Sequence, residues 1–185
     1  MSLALPQPVN TAGAPLDDLH LLSRLDAGLW HRLALLMGPA GYGKTTLLRR
    51  WVESRQHRTA WVALQHEDNV PQRFLADLVA ALRVAQVGVQ VARAHELQDS
   101  MIDLINALVS VPDALVVVLD HYHVIDSQDI HQAMQLWLDY LPPQTHLVIA
   151  SRVEPPLELA RLRVRRQLVE ITLRANAPSE EEHNE

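Results

Sequence analysis

The sequence predicts an α/β fold, a three-layer α/β/α sandwich built around a mostly parallel sheet of five strands. Five short apolar runs, each typical of a buried strand, occupy residues 32–37, 59–64, 114–119, 146–150 and 167–173. Runs that are almost wholly apolar are expected for parallel strands that helices cover on both faces. With 185 residues, of which 48% are hydrophobic and 21% charged, the chain is long enough to bury the core of one domain.

Segments of helical spacing lie between these runs. Helices are predicted over residues 16–29, 45–53, 71–82, 101–108, 130–141 and 157–162. The first is indicated by leucines that recur every three or four residues and share one face. Pro71 suits the first position of its helix, whereas Pro112 and Pro142 follow the ends of theirs. Strands that alternate with helices in this order favour a parallel sheet.

Composition sets the expected boundaries of the domain. We expect a flexible lead-in over residues 1–15, the folded domain over 16–174, and an acidic, disordered tail over 175–185. The formal net charge is −6, and four tail residues contribute −4 of it: Glu180, Glu181, Glu182 and Glu185. The remaining body, near −2, is not basic enough to indicate a polyanion binder.

Other protein classes are excluded by what the sequence lacks. It has no cysteine, which excludes disulfide scaffolds, thiolate zinc sites and cysteine nucleophiles. No apolar run approaches the roughly 18–20 residues of a membrane span, and the first residues do not resemble a signal peptide. The expectation is a cytoplasmic protein with no membrane partner.

One segment concentrates the rarest residues of the chain. Residues 38–45 read Gly-Pro-Ala-Gly-Tyr-Gly-Lys-Thr, which satisfies the phosphate-binding pattern G-x-x-x-x-G-K-[ST] and contains the single lysine of the sequence. Such a loop turns backbone N–H groups toward an anion at the start of the next helix. The sequence therefore predicts ATP binding with Mg²⁺, and the nucleotide-binding residues are expected to be Gly38, Gly41, Tyr42, Gly43, Lys44, Thr45 and Thr46.

A second acidic element is expected at the end of a neighbouring strand. Asp120 follows the apolar run 114–119, where it would hold Mg²⁺ together with Thr45; the alternative is an aspartate that only caps a loop. His121 occupies the position where many related proteins have a second acid that polarises water. A histidine can accept a proton, but a nearby metal ion disfavours its charged form. Slow or absent hydrolysis is the expectation.

Basic residues provide further candidates. Arg152 follows the fourth strand and would contact the γ-phosphate if that strand neighbours the first; the alternative is a surface arginine. Arg161, Arg163, Arg165 and Arg166 form a basic cluster. A solvated face is the favoured interpretation of that cluster, ahead of a phosphate contact or a partner surface. Without a helix-turn-helix, no direct DNA binding by this chain is expected.

Histidines at 121, 123, 131 and 146 raise the question of a metal site. Their spacing is not that of a defined zinc ligand set, and an extended backbone would direct His121 and His123 to opposite sides. We therefore disfavour transition-metal binding by these residues.

The chain resembles the ATPase domain of the MalT-like, LuxR-type large transcriptional regulators, which belong to the STAND class of signalling P-loop ATPases. The residues that carry the resemblance are 22–28, 38–48, 61–64, 68–69, 73–75, 119–123, 141–152, 155–156 and 159–163. The stretch Leu-Pro-Pro-Gln through Ser-Arg at 141–152 is more specific than the phosphate loop alone. Departures from the family pattern are Asp17 and Asp18, where basic residues are usual, Gln65-His66 after the second strand, and His121.

The resemblance implies a sheet order of 5-1-4-3-2 and a role as an ATP-dependent switch. It assigns phosphate and Mg²⁺ to Lys44 and Thr45, the Walker B acid to Asp120, and a sensor role to Arg152. In the family, ATP and an inducer promote self-association, and a separate C-terminal helix-turn-helix binds promoters. The alternatives are a small stand-alone P-loop enzyme such as a kinase, or a non-hydrolysing interaction module that depends on nucleotide.

Overall fold

The computed structural model describes residues 16–89 and 96–173 of the chain. Their helices are α1 (Leu16–Gly28), α2 (Lys44–Arg55), α3 (Pro71–Val84), α4 (Leu97–Val109), α5 (Gln128–Tyr140) and α6 (Leu159–Val164). Their strands are β1 (Leu33–Met37), β2 (Arg58–Ala63), β3 (Leu115–Asp120), β4 (Thr145–Ser151) and β5 (Leu168–Thr172). Two short 3₁₀ turns, His66–Asn69 and Tyr122–Val124, follow β2 and β3. The expected lead-in 1–15 and acidic tail 175–185 lie outside the described residues, so those two expectations stay predictions.

The sheet has the order β2-β3-β4-β1-β5, and every neighbouring pair is parallel. This order is the predicted 5-1-4-3-2 read from the other edge, and the three-layer α/β fold is confirmed. β1 lies between β4 and β5, with Leu33 in register with Leu147 on one side and Leu168 on the other. The carboxyl ends of β3, β4 and β1 are therefore adjacent at one edge of the sheet.

Burial on both faces explains why the strand runs are apolar throughout. Along β1, Leu33 and Leu35 pack into the core beneath α3, α4 and α5, where Trp137 is fully buried. Ala34 and Leu36 alternate with them and pack into a second core beneath α1 and α2. A half-exposed strand would have a polar residue at every second position.

Helix boundaries are where the structure departs most from expectation. α4 begins at Leu97 rather than 101, because its first turn is largely polar and gives no apolar signal. α6 begins at Leu159 rather than 157, since the N–H of Leu157 bonds to the carbonyl of Pro155 in a tight turn before it. Among the described residues, no helix is both long and apolar enough to cross a membrane.

The helix that follows the phosphate loop is anchored at its far end. The carboxylate of Asp26 in α1 accepts hydrogen bonds from Nε1 of Trp51 (2.8 Å) and from Nη2 of Arg55 (2.7 Å), both in α2. Trp51 is fully buried. Burial raises the pKa of the Asp26 carboxyl, but the hydrogen bonds from Arg55 and Trp51 outweigh burial, and the pKa lies below its ordinary value. This contact fixes the end of α2 against α1. The phosphate loop, at the beginning of α2, is supported by it.

Replacing Asp26 should destabilise the fold in two separable ways. D26A removes the acceptor of a buried indole N–H and should lower the free energy of unfolding by about 1–3 kcal/mol. D26N keeps an oxygen that accepts the indole N–H of Trp51 and removes only the charge, so its free energy of unfolding should fall by less. Urea unfolding at pH 7 measures both differences.

The pH dependence of the same comparison has a defined sign. Because the folded pKa of Asp26 is lowered, its charge stabilises the fold above the ordinary value of 3.8 and less as pH falls through the folded value. The advantage of the wild-type chain over D26N should therefore shrink below about pH 4. A constant difference from pH 7 to pH 3 would contradict this account of the ion pair.

Candidate nucleotide-binding site

The predicted site residues converge at the carboxyl edge of the sheet. β1 leads into the loop 38–43, β3 ends at Asp120, and β4 ends at Ser151 just before Arg152. β4 lies directly between the other two strands, so the three carboxyl ends are neighbours. In open parallel sheets this edge is where ligands bind.

The loop has the backbone shape that an anion site needs. Gly41 and Gly43 have φ of 80° and 77°, a left-handed conformation in which a side chain is strained although neither site is crowded. Gly43 is the residue before α2, and no described side chain caps that helix end. The carbonyl of Gly43 accepts the N–H of Leu47 at 2.8 Å, which begins the hydrogen bonds of the helix. The N–H groups that come before Leu47 in the first turn are therefore not used within the helix. These groups, with the positive end of the helix dipole, favour a phosphate.

Gly38 packs closely at the base of the loop. A Cβ at this position would lie 3.0 Å from both Cβ and the carbonyl oxygen of Leu173, so a side chain would crowd the segment after β5. The N–H of Gly38 bonds to the carbonyl of Ser151 at 3.3 Å, which joins the start of the loop to β4. Its part in nucleotide binding stays a prediction.

Lys44 is held by the loop itself. Its Nζ donates to the carbonyl oxygens of Gly38 and Pro39, the latter at 2.8 Å, and the side chain is only 7% exposed. Burial and the positive charge of Arg152 lower the pKa of Lys44, while Asp120 opposes that shift. The ammonium group is thus fixed beside the loop before any ligand binds.

Thr45 and Asp120 form the centre of the site. Oγ1 of Thr45 donates to Oδ2 of Asp120 at 2.7 Å, and the backbone N–H of His121 donates to Oδ1 at 2.9 Å. Asp120 is 1% exposed, so it is more than a surface loop cap. Hydroxyl and carboxylate oxygens are ligands that Mg²⁺ prefers, and here the two are in contact.

His121 and Arg152 line one cavity of about 280 Å³ with loop residues that include Lys44, Thr45 and Thr46. Arg152 is exposed and reaches this cavity from the end of β4, whereas His121 is half-buried. His121 has φ of 62°, and its Nε2 lies 3.9 Å from Oδ1 of Asp120. An imidazole and a guanidinium therefore lie on the walls of this cavity, and the buried carboxylate of Asp120 contacts the lining residue Thr45.

His121 and His123 are not on an extended backbone. The segment after β3 is a 3₁₀ turn, and the two rings lie 6.0 Å apart in an edge-to-face arrangement. The prediction that His121 and His123 point to opposite sides assumed an extended backbone, so it does not apply here. The described part of the chain brings together no group of three or more His, Asp or Glu side chains that would hold a metal ion. Mg²⁺ bound with a nucleotide needs fewer protein ligands.

Tyr42 and Thr46 border a second, smaller cavity beside the loop. That cavity, of about 170 Å³, is also lined by Leu21 and Leu173. Thr46 lines both cavities, whereas Tyr42 does not line the one that contains Lys44. Tyr42 thus lies beside the cavity that Lys44 lines, and its part in nucleotide binding stays a prediction.

Two arginines of the basic cluster are engaged in ion pairs. Arg161 lies 3.3 Å from Asp139 and 3.6 Å from Glu158. Arg163 contacts Glu154 at 2.9 Å and Glu170 at 2.7 Å. Because these pairs are solvent-exposed, they support the favoured interpretation of a solvated face.

Sequence reasoning missed the positioning role of Asn69. Its Oδ1 accepts the N–H groups of Asp126 (2.6 Å) and Ser127 (2.9 Å), and its Nδ2 donates to the carbonyl of Val124 (2.7 Å). The amide thus binds the segment that follows His121. Asp68 beside it is buried and accepts hydrogen bonds from Arg73 (2.9 Å) and the N–H of Gln65 (2.7 Å). The only signal for this pair was its presence in the family resemblance.

Comparison with known proteins shows the family of the chain. A family model described as an AAA domain matches residues 31–161, well over half of the chain. The chain is 38% identical over 159 residues to the HTH-type transcriptional regulator MalT of Cronobacter sakazakii, and 36% identical over 186 aligned positions to that of Yersinia enterocolitica. The alignments cover 82% and 96% of this chain but 18% and 20% of those proteins. The chain therefore spans about a fifth of the length of the curated relatives it matches.

A solved structure supports the fold independently. The Cdc6p protein of Pyrobaculum aerophilum matches 88% of this chain and 48% of its own length, with a TM-score of 0.61. At 17% identity, this likeness shows the fold alone. By the family match, the fold and the phosphate loop together, the chain belongs to the AAA domain family of P-loop NTPases, and it is similar to MalT, as the resemblance in sequence predicted.

Proposed function

We propose that this domain binds ATP with Mg²⁺ and acts as the nucleotide-dependent switch of a MalT-like regulator. The observation that carries the proposal is the contact between Thr45 and Asp120 beside the buried ammonium of Lys44. These groups come from the loop after β1 and from the end of β3, and they meet at the amino end of α2. A hydroxyl, a carboxylate and an ammonium at a helix start suit a nucleotide whose phosphates carry a divalent cation.

Each group has a distinct part in binding. The N–H groups around Gly41 and Gly43 would donate to phosphate oxygens, and Lys44 would exchange its loop carbonyls for the β and γ phosphates. Thr45 and Asp120 would hold Mg²⁺, directly or through its water. When bound, Mg²⁺ neutralises charge on the phosphates and orients them. Arg152, across the cavity, is suited to contact the γ-phosphate and so to distinguish ATP from ADP.

Hydrolysis is proposed to be slow. The residue after Asp120 is His121, so an imidazole occupies the position at which a second carboxylate would polarise water. Turnover should therefore lie below about 1 s⁻¹, so that ATP-bound and ADP-bound forms persist as separate states.

The comparison with MalT extends the proposal to the whole regulator. The curated relatives are named as HTH-type transcriptional regulators, and this chain matches about a fifth of each. We infer that the protein takes part in transcription regulation in the cytoplasm, which contains ATP. Self-association would accompany the ATP state, and DNA would be bound by a segment other than this one. A kinase is less well supported, because Arg161 and Arg163 are engaged with acids and are not gathered over the nucleotide cavity.

Replacement of Lys44 tests nucleotide binding. MgATP at 100 times its Kd should stabilise the wild-type chain by about 2.7 kcal/mol, which raises Tm by several degrees. K44A should abolish this shift. R49A, which removes an exposed cation from the same helix, should keep it. A shift that survives in K44A would show that the nucleotide binds elsewhere.

Replacement of Thr45 tests the Mg²⁺ assignment. T45V keeps the shape but leaves Asp120 without its hydroxyl donor, so the free energy of unfolding should fall by about 1–3 kcal/mol. ATP binding, measured by calorimetry, should become the same with Mg²⁺ and with chelator. T45S retains a hydroxyl and should preserve both properties. An unchanged Mg²⁺ dependence in T45V would remove Thr45 from the proposed site.

Replacement of His121 tests the reason for slow turnover. Asn, Asp and His are the non-glycine residues that adopt positive φ most readily, so H121D and H121N should both fit the backbone at this position. H121D should raise steady-state ATP hydrolysis, since it supplies a carboxylate beside the cavity. H121N matches it in shape without the acid and should show no gain. Equal rates in the two variants would mean that the missing acid does not limit hydrolysis.

A further inference from the structure

The chain leaves its last strand beside the phosphate site. Leu173, the residue after β5, packs on Gly38 at the base of the phosphate loop. It also lines the cavity of about 170 Å³ together with Gly43 and Thr46. Those two residues line the neighbouring cavity of about 280 Å³ as well, the one that contains Lys44. The chain therefore enters the acidic tail next to the residues that are expected to bind phosphate.

The walls of these two cavities carry positive charge. Lys44, Arg50 and Arg152 are among the described residues that line them, and none of those lining residues is an aspartate or a glutamate. Arg152 is exposed and makes no hydrogen bond or ion pair with any described residue. The nearby carboxylate of Asp120 is buried and already accepts a hydrogen bond from Thr45 at 2.7 Å. Because unused N–H groups at the start of α2 add to this charge, the site attracts carboxylates as well as phosphates.

The acidic tail supplies carboxylates within reach of this site. Its four glutamates, at 180–182 and 185, are accompanied by no lysine or arginine. Residues 174–179 separate Leu173 from Glu180, and an extended chain of that length spans about 20–25 Å. The glutamates can therefore reach any part of the two adjoining cavities. A tether this short also keeps their local concentration in about the millimolar range, at which weak carboxylate contacts are populated.

Cations at the amino edge of the sheet, where the strands begin, are less suited to the tail. Arg165 and Arg166 are exposed, but they precede β5, whose five residues separate them from Leu173 by roughly 17 Å. A cavity of about 810 Å³ also lies at this edge, and its arginines are engaged. Arg55 pairs with Asp26 at 2.7 Å, and Nη1 of Arg32 donates to two backbone carbonyls of α5, both at 2.9 Å. The point at which the tail begins therefore favours the phosphate site.

We propose that the acidic tail of this chain occupies the phosphate site when nucleotide is absent, and that MgATP displaces it. Carboxylates of the glutamates at 180–182 accept hydrogen bonds from the loop N–H groups and from Lys44, and Arg152 pairs with a further carboxylate. The inference rests on the proposed function, because it gives the nucleotide site a competitor within the same chain. Nucleotide binding thereby releases the segment that follows β5, which provides the switch with a structural output.

Removal of the tail carboxylates tests the competition. The variant E180Q/E181Q/E182Q/E185Q keeps the length of the chain and removes the negative charges of the tail. In calorimetry at low ionic strength, it should bind MgATP about three- to tenfold more tightly than the wild-type chain, because no carboxylate has to be displaced. An unchanged Kd would overturn the proposal, including the case in which the tail binds Arg165 and Arg166 instead.

A matched variant separates direct contact from general repulsion. E53Q/E67Q/E96Q/D113N removes the same charge from exposed acids that line neither cavity. Since exposed charges at a distance are screened, its Kd for MgATP should stay within about twofold of the wild-type value. An equal gain in both variants would overturn the proposal, because repulsion alone would then explain it. Absence of MgATP binding in all three chains, with melting curves that show them folded, would instead contradict the proposed function itself.

The single lysine of the chain allows the contact to be trapped. A water-soluble carbodiimide joins carboxylates as amides to amines within contact distance, and Lys44 lines the cavity. Without nucleotide, peptide mass analysis of the monomeric fraction should find Lys44 joined to one of the tail glutamates. Saturating MgATP should suppress this product, and K44R, which keeps the charge but has no reactive amine, should lack it. Amides from the tail to the N-terminal amine alone, no amide to Lys44, or a Lys44 product that MgATP leaves unchanged would each overturn the proposal.

Discussion

The hydrogen bond from Thr45 to Asp120 is the contact on which the carboxyl edge of the sheet depends. Thr45 lies in the helix after β1, and Asp120 ends β3, so the bond reaches across the end of the intervening strand β4. A carboxylate that is 1% exposed would be costly without donors, and the hydroxyl and the N–H of His121 supply them. The bond needs the carboxyl ends of β3 and β1 to lie close together, and the order β3, β4, β1 provides this. Strand order thus contributes directly to the geometry of the site.

The direction of the strands divides the molecule into two chemically different edges. Where the parallel strands end, glycine backbone and a lysine line one small cavity, and the buried carboxylate of Asp120 contacts Thr45 on its wall. Where they begin, Leu29, Trp30 and Val116 contribute apolar surface, and the charged side chains of Arg32 and Arg55 are bonded to other groups of the protein. The same seven residues of β4 connect Thr145 at one edge with Ser151 at the other. Asn69 adds a further link, because it joins the turn after β2 to the segment after His121.

The fold was accessible from the sequence because the strands are buried on both faces and therefore apolar at nearly every position. The phosphate loop was equally accessible, since its chemistry lies within eight consecutive residues. Strand order was available only through the family resemblance, because periodicity says nothing about which strands are neighbours. Contacts between distant segments were not predictable: the bonds of Asn69, the packing of Gly38 on Leu173 and the cavity at the amino edge each join residues far apart in sequence.

The left-handed backbone at His121 limits which side chains this position can carry in evolution. Only a small set of side chains adopts φ near 62° without strain, and His, Asp and Asn lead that set. In the genetic code the codons for these three residues differ only in their first base. A turn that holds an imidazole can therefore come to hold a carboxylate or an amide by one base substitution, with the backbone unaltered. The side chain beside Asp120 can thus change while the backbone of the site is kept.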